Sequence, residues 1–162
     1  MNVPFTRTHL RDIALAGIAG QVAFEFYAWV ISPIIFGPTL EPANLVAGLW
    51  GKAFGAPLSY GSAFVLHTLI GAVGFVALVL LIQAAMKTRY AVAGAVTGLI
   101  LWFVAQGMLA PLMGRDFMMG FGAYTQSSFV SHVGMAWLMG LILDWRGVPR
   151  LGTKAVSAHP AP

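Results

Sequence analysis

The sequence SAFVLH at residues 62–67 recurs as SSFVSH at residues 127–132, and each copy opens a long apolar run. A helix of roughly 20 residues crosses a bilayer, so both runs predict membrane-spanning helices. His67 and His132 would then lie about two helical turns inside the membrane. A histidine surrounded by hydrocarbon is costly, and such residues usually face a bundle interior or a cavity and mark a site.

The composition agrees with a membrane protein of one domain. The chain has 162 residues, of which 59% are hydrophobic and 9% charged, whereas soluble domains are about 25% charged. It contains no cysteine, so any metal would need His, Glu, Asp or Met as ligands. The net charge is +4, but the basic residues sit beside apolar runs, which favours membrane topology over nucleic-acid binding.

Four apolar segments predict an all-α fold, a four-transmembrane-helix up-down bundle. The predicted spans cover residues 13–36, 60–86, 90–113 and 126–143. Between the first two spans, prolines and glycines interrupt the chain, and we expect a short helix lying in the membrane interface. Residues 1–146 form the single predicted domain. Residues 147–162 lack hydrophobic periodicity, so we expect a mobile cytoplasmic tail.

The repeated hexapeptide suggests an internal duplication. Spans two and four carry the copies, and aligning Pro33 in span one with Pro111 in span three brings Gly20 onto Gly98. The sequence therefore predicts two helical hairpins in tandem with the same orientation.

The distribution of basic residues predicts the orientation. Seven lie on one side of a four-span arrangement and two on the other, which puts the seven in the cytoplasm. We expect a protein of the bacterial inner membrane with both termini inside. The seven are Arg7, Arg11, Lys87, Arg89, Arg146, Arg150 and Lys154, and the two are Lys52 and Arg115.

Each span also carries one strong hydrogen-bonding residue at a similar predicted depth, within about one helical turn. Any of them could simply hold neighbouring helices together, but two histidines at matched depth favour a shared site. A carboxylate at this depth would be protonated, paired or bound to a metal. The four residues are Glu25, His67, Gln106 and His132, and Arg115 and Asp116 add polar groups in the second outer loop.

Four uses of this polar layer remain open from the sequence. His67 and His132 could bind haem b, an arrangement that resembles the general plan of membrane b-type cytochromes. Both histidines with Glu25, and Gln106 as a further ligand, could bind a divalent metal. A histidine and a carboxylate could accept protons from a quinol. Glu25, among aromatic neighbours, could serve a small proton-coupled transporter.

The function that we expect is a small subunit or assembly partner of an energy-transducing, electron-transfer membrane complex. Such a protein contacts the lipid bilayer and other membrane subunits, and no nucleic acid. A glycine-rich loop followed by lysine and a G-x-S-x-G motif are both lacking, so we do not expect a self-contained enzyme.

Overall fold

The computed structural model describes residues 6–56 and 58–151, and within these ranges the chain is helical with no strand. Four helices are long and apolar enough to cross a membrane, which confirms the prediction of a multi-pass helical protein. A shorter helix lies between the first two, and a 3₁₀ turn, Phe117–Phe121, precedes the last. The helices are α1 (Arg7–Ile35), α2 (Pro42–Phe54), α3 (Tyr60–Met86), α4 (Tyr90–Leu112) and α5 (Ala123–Trp145).

Helix α1 begins before the apolar run that predicted it. Thr6 and His9 form a capping box, in which the backbone N–H of His9 donates to Thr6 Oγ1 and the backbone N–H of Thr6 donates to His9 Nδ1. This pairing satisfies two amides that a helix start otherwise leaves free. The helix therefore extends six residues ahead of Ile13, where hydrophobicity alone placed its start.

Three of the long helices contain a wide π-helical turn, at Tyr27–Ile31, Ile70–Phe75 and Val104–Leu109. The first and third come just before Pro33 and Pro111. Proline has no N–H, so the carbonyl four residues earlier loses its helical partner and the local hydrogen-bonding pattern shifts. Turns of this type are frequent at functional sites.

Helix α1 packs against α3 and α5, and α4 packs against the same two helices. Helices α4 and α5 lie in close contact: a Cβ at Gly94 would collide with the Ala136 carbonyl, and one at Gly98 would lie 2.5 Å from Val133 Cα. These two glycines form the G-x-x-x-G of α4. Because the backbones touch at both positions, the motif serves packing inside the bundle.

Helices α1 and α3 approach each other in a similar way. A Cβ at Gly17 would collide with the Ala72 carbonyl, and the side chain of Gln21 covers Gly71. The glycines therefore let the polar side chain of Gln21 enter the α1–α3 interface.

The end of the bundle that holds the C-terminus of α5 is polar. The backbone N–H groups of Tyr90 and Ala91, in the first turn of α4, donate to the Asp144 carboxylate. The Tyr90 hydroxyl donates to the Pro149 carbonyl, and the Leu151 N–H donates to Gln83 Oε1.

The mobile tail that we expected from residue 147 onward stays a prediction, although the backbone of Pro149 and Leu151 hydrogen bonds to the bundle. These bonds form because Gln83 and Tyr90 are buried and find hydrogen-bonding partners in this backbone. Residues 152–162 of the predicted tail lie outside the described residues.

Candidate functional site

A cavity of about 220 Å³ lies among the four long helices, on the side where α2 packs. Its walls are mostly apolar, and α2 contributes Leu45, Val46 and Leu49. The polar side chains that line it include three of the four residues of the predicted layer. These are His67, Gln106 and His132, together with Ser128.

His132 has a defined tautomer. Its Nδ1 lies 2.7 Å from the backbone carbonyl oxygen of Ser128, one helical turn earlier. A carbonyl oxygen only accepts, so Nδ1 must carry the proton and donate. Nε2 of the neutral ring is then a hydrogen-bond acceptor, and no described residue donates to it.

His67 lies beside Glu25. Its Nδ1 is 3.4 Å from Glu25 Oε1, within ion-pair distance but not aligned as a hydrogen bond. The Glu25 carboxylate accepts two hydrogen bonds from its own helix. Gln21 Nε2 donates to Oε1 at 2.8 Å, and Trp29 Nε1 donates to Oε2 at 3.1 Å. Glu25 does not itself line the cavity. It lies next to the imidazole, where a carboxylate favours a proton on the nearer ring nitrogen.

Gln106 belongs to the π-helical turn of α4 and is almost completely buried. Its Nε2 donates to Ser128 Oγ at 3.1 Å, while its Oε1 has no hydrogen-bonding partner. A buried amide oxygen left without a donor costs roughly 1–3 kcal/mol. Gln106 therefore places a buried acceptor without a partner in the wall of the cavity.

The Phe24 ring contacts both histidines, with its centroid 5.5 Å from each imidazole centroid. In a haem bound by His67 and His132, the two imidazoles would lie on opposite faces of the macrocycle. A ring equally close to both would then lie in the plane of the macrocycle and overlap its pyrroles. The placement of Phe24 therefore favours a ligand smaller than haem.

A metal site formed by the four residues of the predicted layer stays a prediction. Among the described residues, no three His, Asp or Glu side chains come together as a group that could hold a metal ion. Glu25 contacts His67, and Gln106 contacts Ser128, which in turn contacts His132. The structure thus places Glu25 beside His67 and links Gln106 to His132 through Ser128, and all of these except Glu25 line the cavity.

The loop between α4 and α5 contributes one of its two predicted polar residues to the cavity. Arg115 lines the cavity, as does Tyr124. Asp116 is exposed and does not line it; its backbone carbonyl accepts from Met119 in the 3₁₀ turn. Lys52, on α2, donates to the Leu112 carbonyl at 2.8 Å and so ties α2 to the end of α4.

Two residues of the site were missed from the sequence. Ser128 could have been found, since it lies four residues before His132 and so on the same face of one helix. Phe24 carries no such signal, because it is one aromatic residue among several in an apolar helix.

The comparisons with known proteins add no relative. No family model, curated protein or solved structure matches this chain.

Proposed function

We propose that this chain binds a lipid-soluble ligand of the quinone class, as a small subunit or assembly partner of an electron-transfer complex in the bacterial inner membrane. The observation that carries the proposal is the apolar cavity between membrane-spanning helices with His67 and His132 in its wall. Pockets for small organic ligands combine mostly apolar walls with a few convergent polar groups. A quinone ring with an apolar tail matches this combination.

The two histidines suit the chemistry of such a ring. Oxidation of a hydroquinone to a quinone releases two electrons and two protons. The imidazoles supply bases for the protons, and the Glu25 carboxylate lies 3.4 Å from His67 Nδ1. The electrons pass to a haem or iron–sulfur centre in a partner subunit, which is the reason for placing the chain in a larger complex.

The proposal includes an up-down bundle built of two tandem hairpins. Its support is that contacts between the four spans follow chain order round the bundle. Gly17 meets the Ala72 backbone in the first hairpin much as Gly94 meets the Ala136 backbone in the second. The π-helical turns before Pro33 and Pro111 also correspond.

The orientation is part of the same proposal. Both termini lie in the cytoplasm, because seven of the nine basic residues fall on that side. Helix α2 then lies in the outer membrane interface with its apolar residues Leu45, Val46 and Leu49 against the cavity.

Binding of a short-tailed benzoquinone and its hydroquinone to the purified protein in lipid nanodiscs tests the ligand class. We expect saturable binding of at least one form, and we expect Leu45→Trp to remove it by filling the cavity. Leu99→Trp is the matched control, since Leu99 is 44% exposed on α4 and does not line the cavity. A lack of binding, or equal binding to the Leu45→Trp variant, would contradict the proposal.

Purification in a mild detergent tests the association with a complex. We expect a tagged chain to bring with it a subunit that shows a haem or iron–sulfur signal in a reduced-minus-oxidised spectrum. Recovery of the chain alone, with quinone binding intact, would contradict membership of a complex but not the proposed ligand site.

A further inference from the structure

We infer that the cavity is built for the reduced, hydroxyl-bearing form of its ligand, a hydroquinone, in preference to the quinone. This inference rests on the proposed function and concerns the hydrogen-bonding character of the same site. Three atoms on residues of the cavity wall, Nε2 of His132, Oε1 of Gln106 and Nε2 of His67, accept hydrogen bonds and have no donor among the described residues. A hydroquinone hydroxyl donates, whereas a quinone carbonyl only accepts.

The first acceptor is Nε2 of His132. The Ser128 carbonyl, 2.7 Å from Nδ1, holds the ring proton on Nδ1. Ser128 and His132 are both on α5, one turn apart, so the tautomer is set within a single helix. Nε2 therefore presents a lone pair, and His132 lines the cavity.

The second acceptor is Oε1 of Gln106. Its amide nitrogen is engaged by Ser128 Oγ, and the oxygen is buried without a partner. Ser128 thus orients both acceptors, the imidazole through its carbonyl and the amide through its hydroxyl. Ser128 accordingly leaves His132 Nε2 and Gln106 Oε1 as the acceptors on this wall of the cavity.

The third acceptor is Nε2 of His67. The Glu25 carboxylate, 3.4 Å from Nδ1, favours the proton on the nitrogen that faces it. The neutral ring then has a lone pair on Nε2. Both histidines are therefore acceptors in their neutral state, although their Nδ1 atoms face different partners.

Donors line the cavity on the side of the outer loop. The side chains of Arg115 and Tyr124 line this part of the cavity, and Arg115 is exposed. A quinone carbonyl that entered the histidine end would meet lone pairs and lose its hydrogen bonds to water. A site that hydrogen bonds a substrate hydroxyl discriminates strongly against an analogue that lacks it.

The test compares dissociation constants for a short-tailed hydroquinone and the corresponding quinone, measured without oxygen in lipid nanodiscs. We expect the hydroquinone to bind at least tenfold more tightly, which corresponds to about 1.4 kcal/mol. We expect the dimethyl ether of the hydroquinone, which cannot donate, to bind no better than the quinone. Equal or tighter binding of the quinone would overturn the inference while leaving the proposed ligand class intact. Binding of neither form would overturn both.

A substitution at Gln106 tests whether its side-chain oxygen contributes to the preference for hydroquinone over quinone. Gln106→Met keeps a side chain of similar length but removes the acceptor, and we expect it to reduce the preference for hydroquinone with little change for the quinone. Thr97→Val is the control on the same helix, since Thr97 bonds only to the Ala93 carbonyl among the described residues and does not line the cavity. An unchanged preference in Gln106→Met would contradict the role of that oxygen.

Nitrogen NMR of the histidine-labelled wild-type protein gives a readout that does not depend on any variant folding. We expect His132 to show a protonated Nδ1 and a bare Nε2 in the free protein. The Nε2 resonance should move toward that of a hydrogen-bonded nitrogen with hydroquinone and stay in place with quinone. A proton on Nε2 of the free protein would overturn the inference.

Discussion

Arg146 donates two hydrogen bonds to a single carboxylate oxygen of Asp12, at 3.1 Å from Nε and 2.8 Å from Nη2. The two residues join the first turns of α1 to the end of α5, and Asp12 is buried. Hydrogen bonds between two charged groups are about twice as strong as neutral ones. The first and last spans are therefore held together at this end of the bundle.

Breaking this pair should lower the thermal stability of the protein in detergent. We expect Asp12→Asn and Arg146→Gln each to reduce the melting temperature, and the double variant to lose less than the sum, because the two side chains share one interaction. Arg11→Gln is the control, since Arg11 is exposed and lies 3.7 Å from Asp12, and exposed pairs contribute little. Additive losses from the two single variants would show that the pair does not act as a unit.

The glycine contacts between α4 and α5 give a second prediction. Gly98→Ala should destabilise the bundle by about 1–3 kcal/mol, because the new methyl group would meet the backbone of Val133 and His132. Gly134→Ala is the matched control on α5, where a Cβ meets nothing within 4 Å. There the better helix propensity of alanine should leave stability equal or higher by up to about 1 kcal/mol. Chemical or thermal unfolding in detergent measures both, and equal effects would contradict the close packing.

The start of α4 is capped from another helix. Asp144 accepts from the N–H groups of Tyr90 and Ala91, and Arg89 itself makes no side-chain cap. We expect Asp144→Ala to cost about 0.5–2 kcal/mol, the range for a lost helix cap, and Asp144→Asn to cost less because an acceptor remains. Amide exchange in the first turn of α4 checks this, and unchanged protection there in Asp144→Ala would contradict it.

The absence of cysteine makes the proposed orientation simple to test. Single cysteines at exposed positions 56 and 87, Ala56→Cys and Lys87→Cys, would each be the one thiol of the chain. In intact spheroplasts we expect a membrane-impermeant maleimide to label position 56 and to label position 87 only after lysis. The reverse pattern would contradict cytoplasmic termini.

The sequence predicted the four spans because each is a long apolar run bounded by prolines, glycines or charges. Three residues of the predicted polar layer, His67, Gln106 and His132, line one cavity in the structure. A strong polar group in an apolar helix has few favourable surroundings, so counting turns from the span ends located these residues well.

The inward faces of the helices were harder to predict. Phe24 is 2% exposed and contacts both histidines, whereas Phe26, two residues away, is 58% exposed. Lipid and protein interior are both apolar, so hydrophobicity does not separate these two phenylalanines. The repeated hexapeptide shows the same limit: Ser62 bonds to Ser59 on its own chain segment, while Ser127 is buried and bonds to Ser32 of α1.

The backbone contacts at Gly17, Gly94 and Gly140 bear on how quickly a ligand could enter and leave the cavity. At each of these glycines the backbone of a neighbouring helix lies where a Cβ would be, so the long helices are closely packed there. Helix α2 is joined to its neighbours by segments that contain Gly37 and Gly55, both with positive φ. Its Lys52 side chain donates a hydrogen bond to the Leu112 carbonyl at the end of α4. We therefore expect the rate of ligand exchange to depend on the displacement of α2, with residence times set by that motion rather than by rearrangement of the four spans.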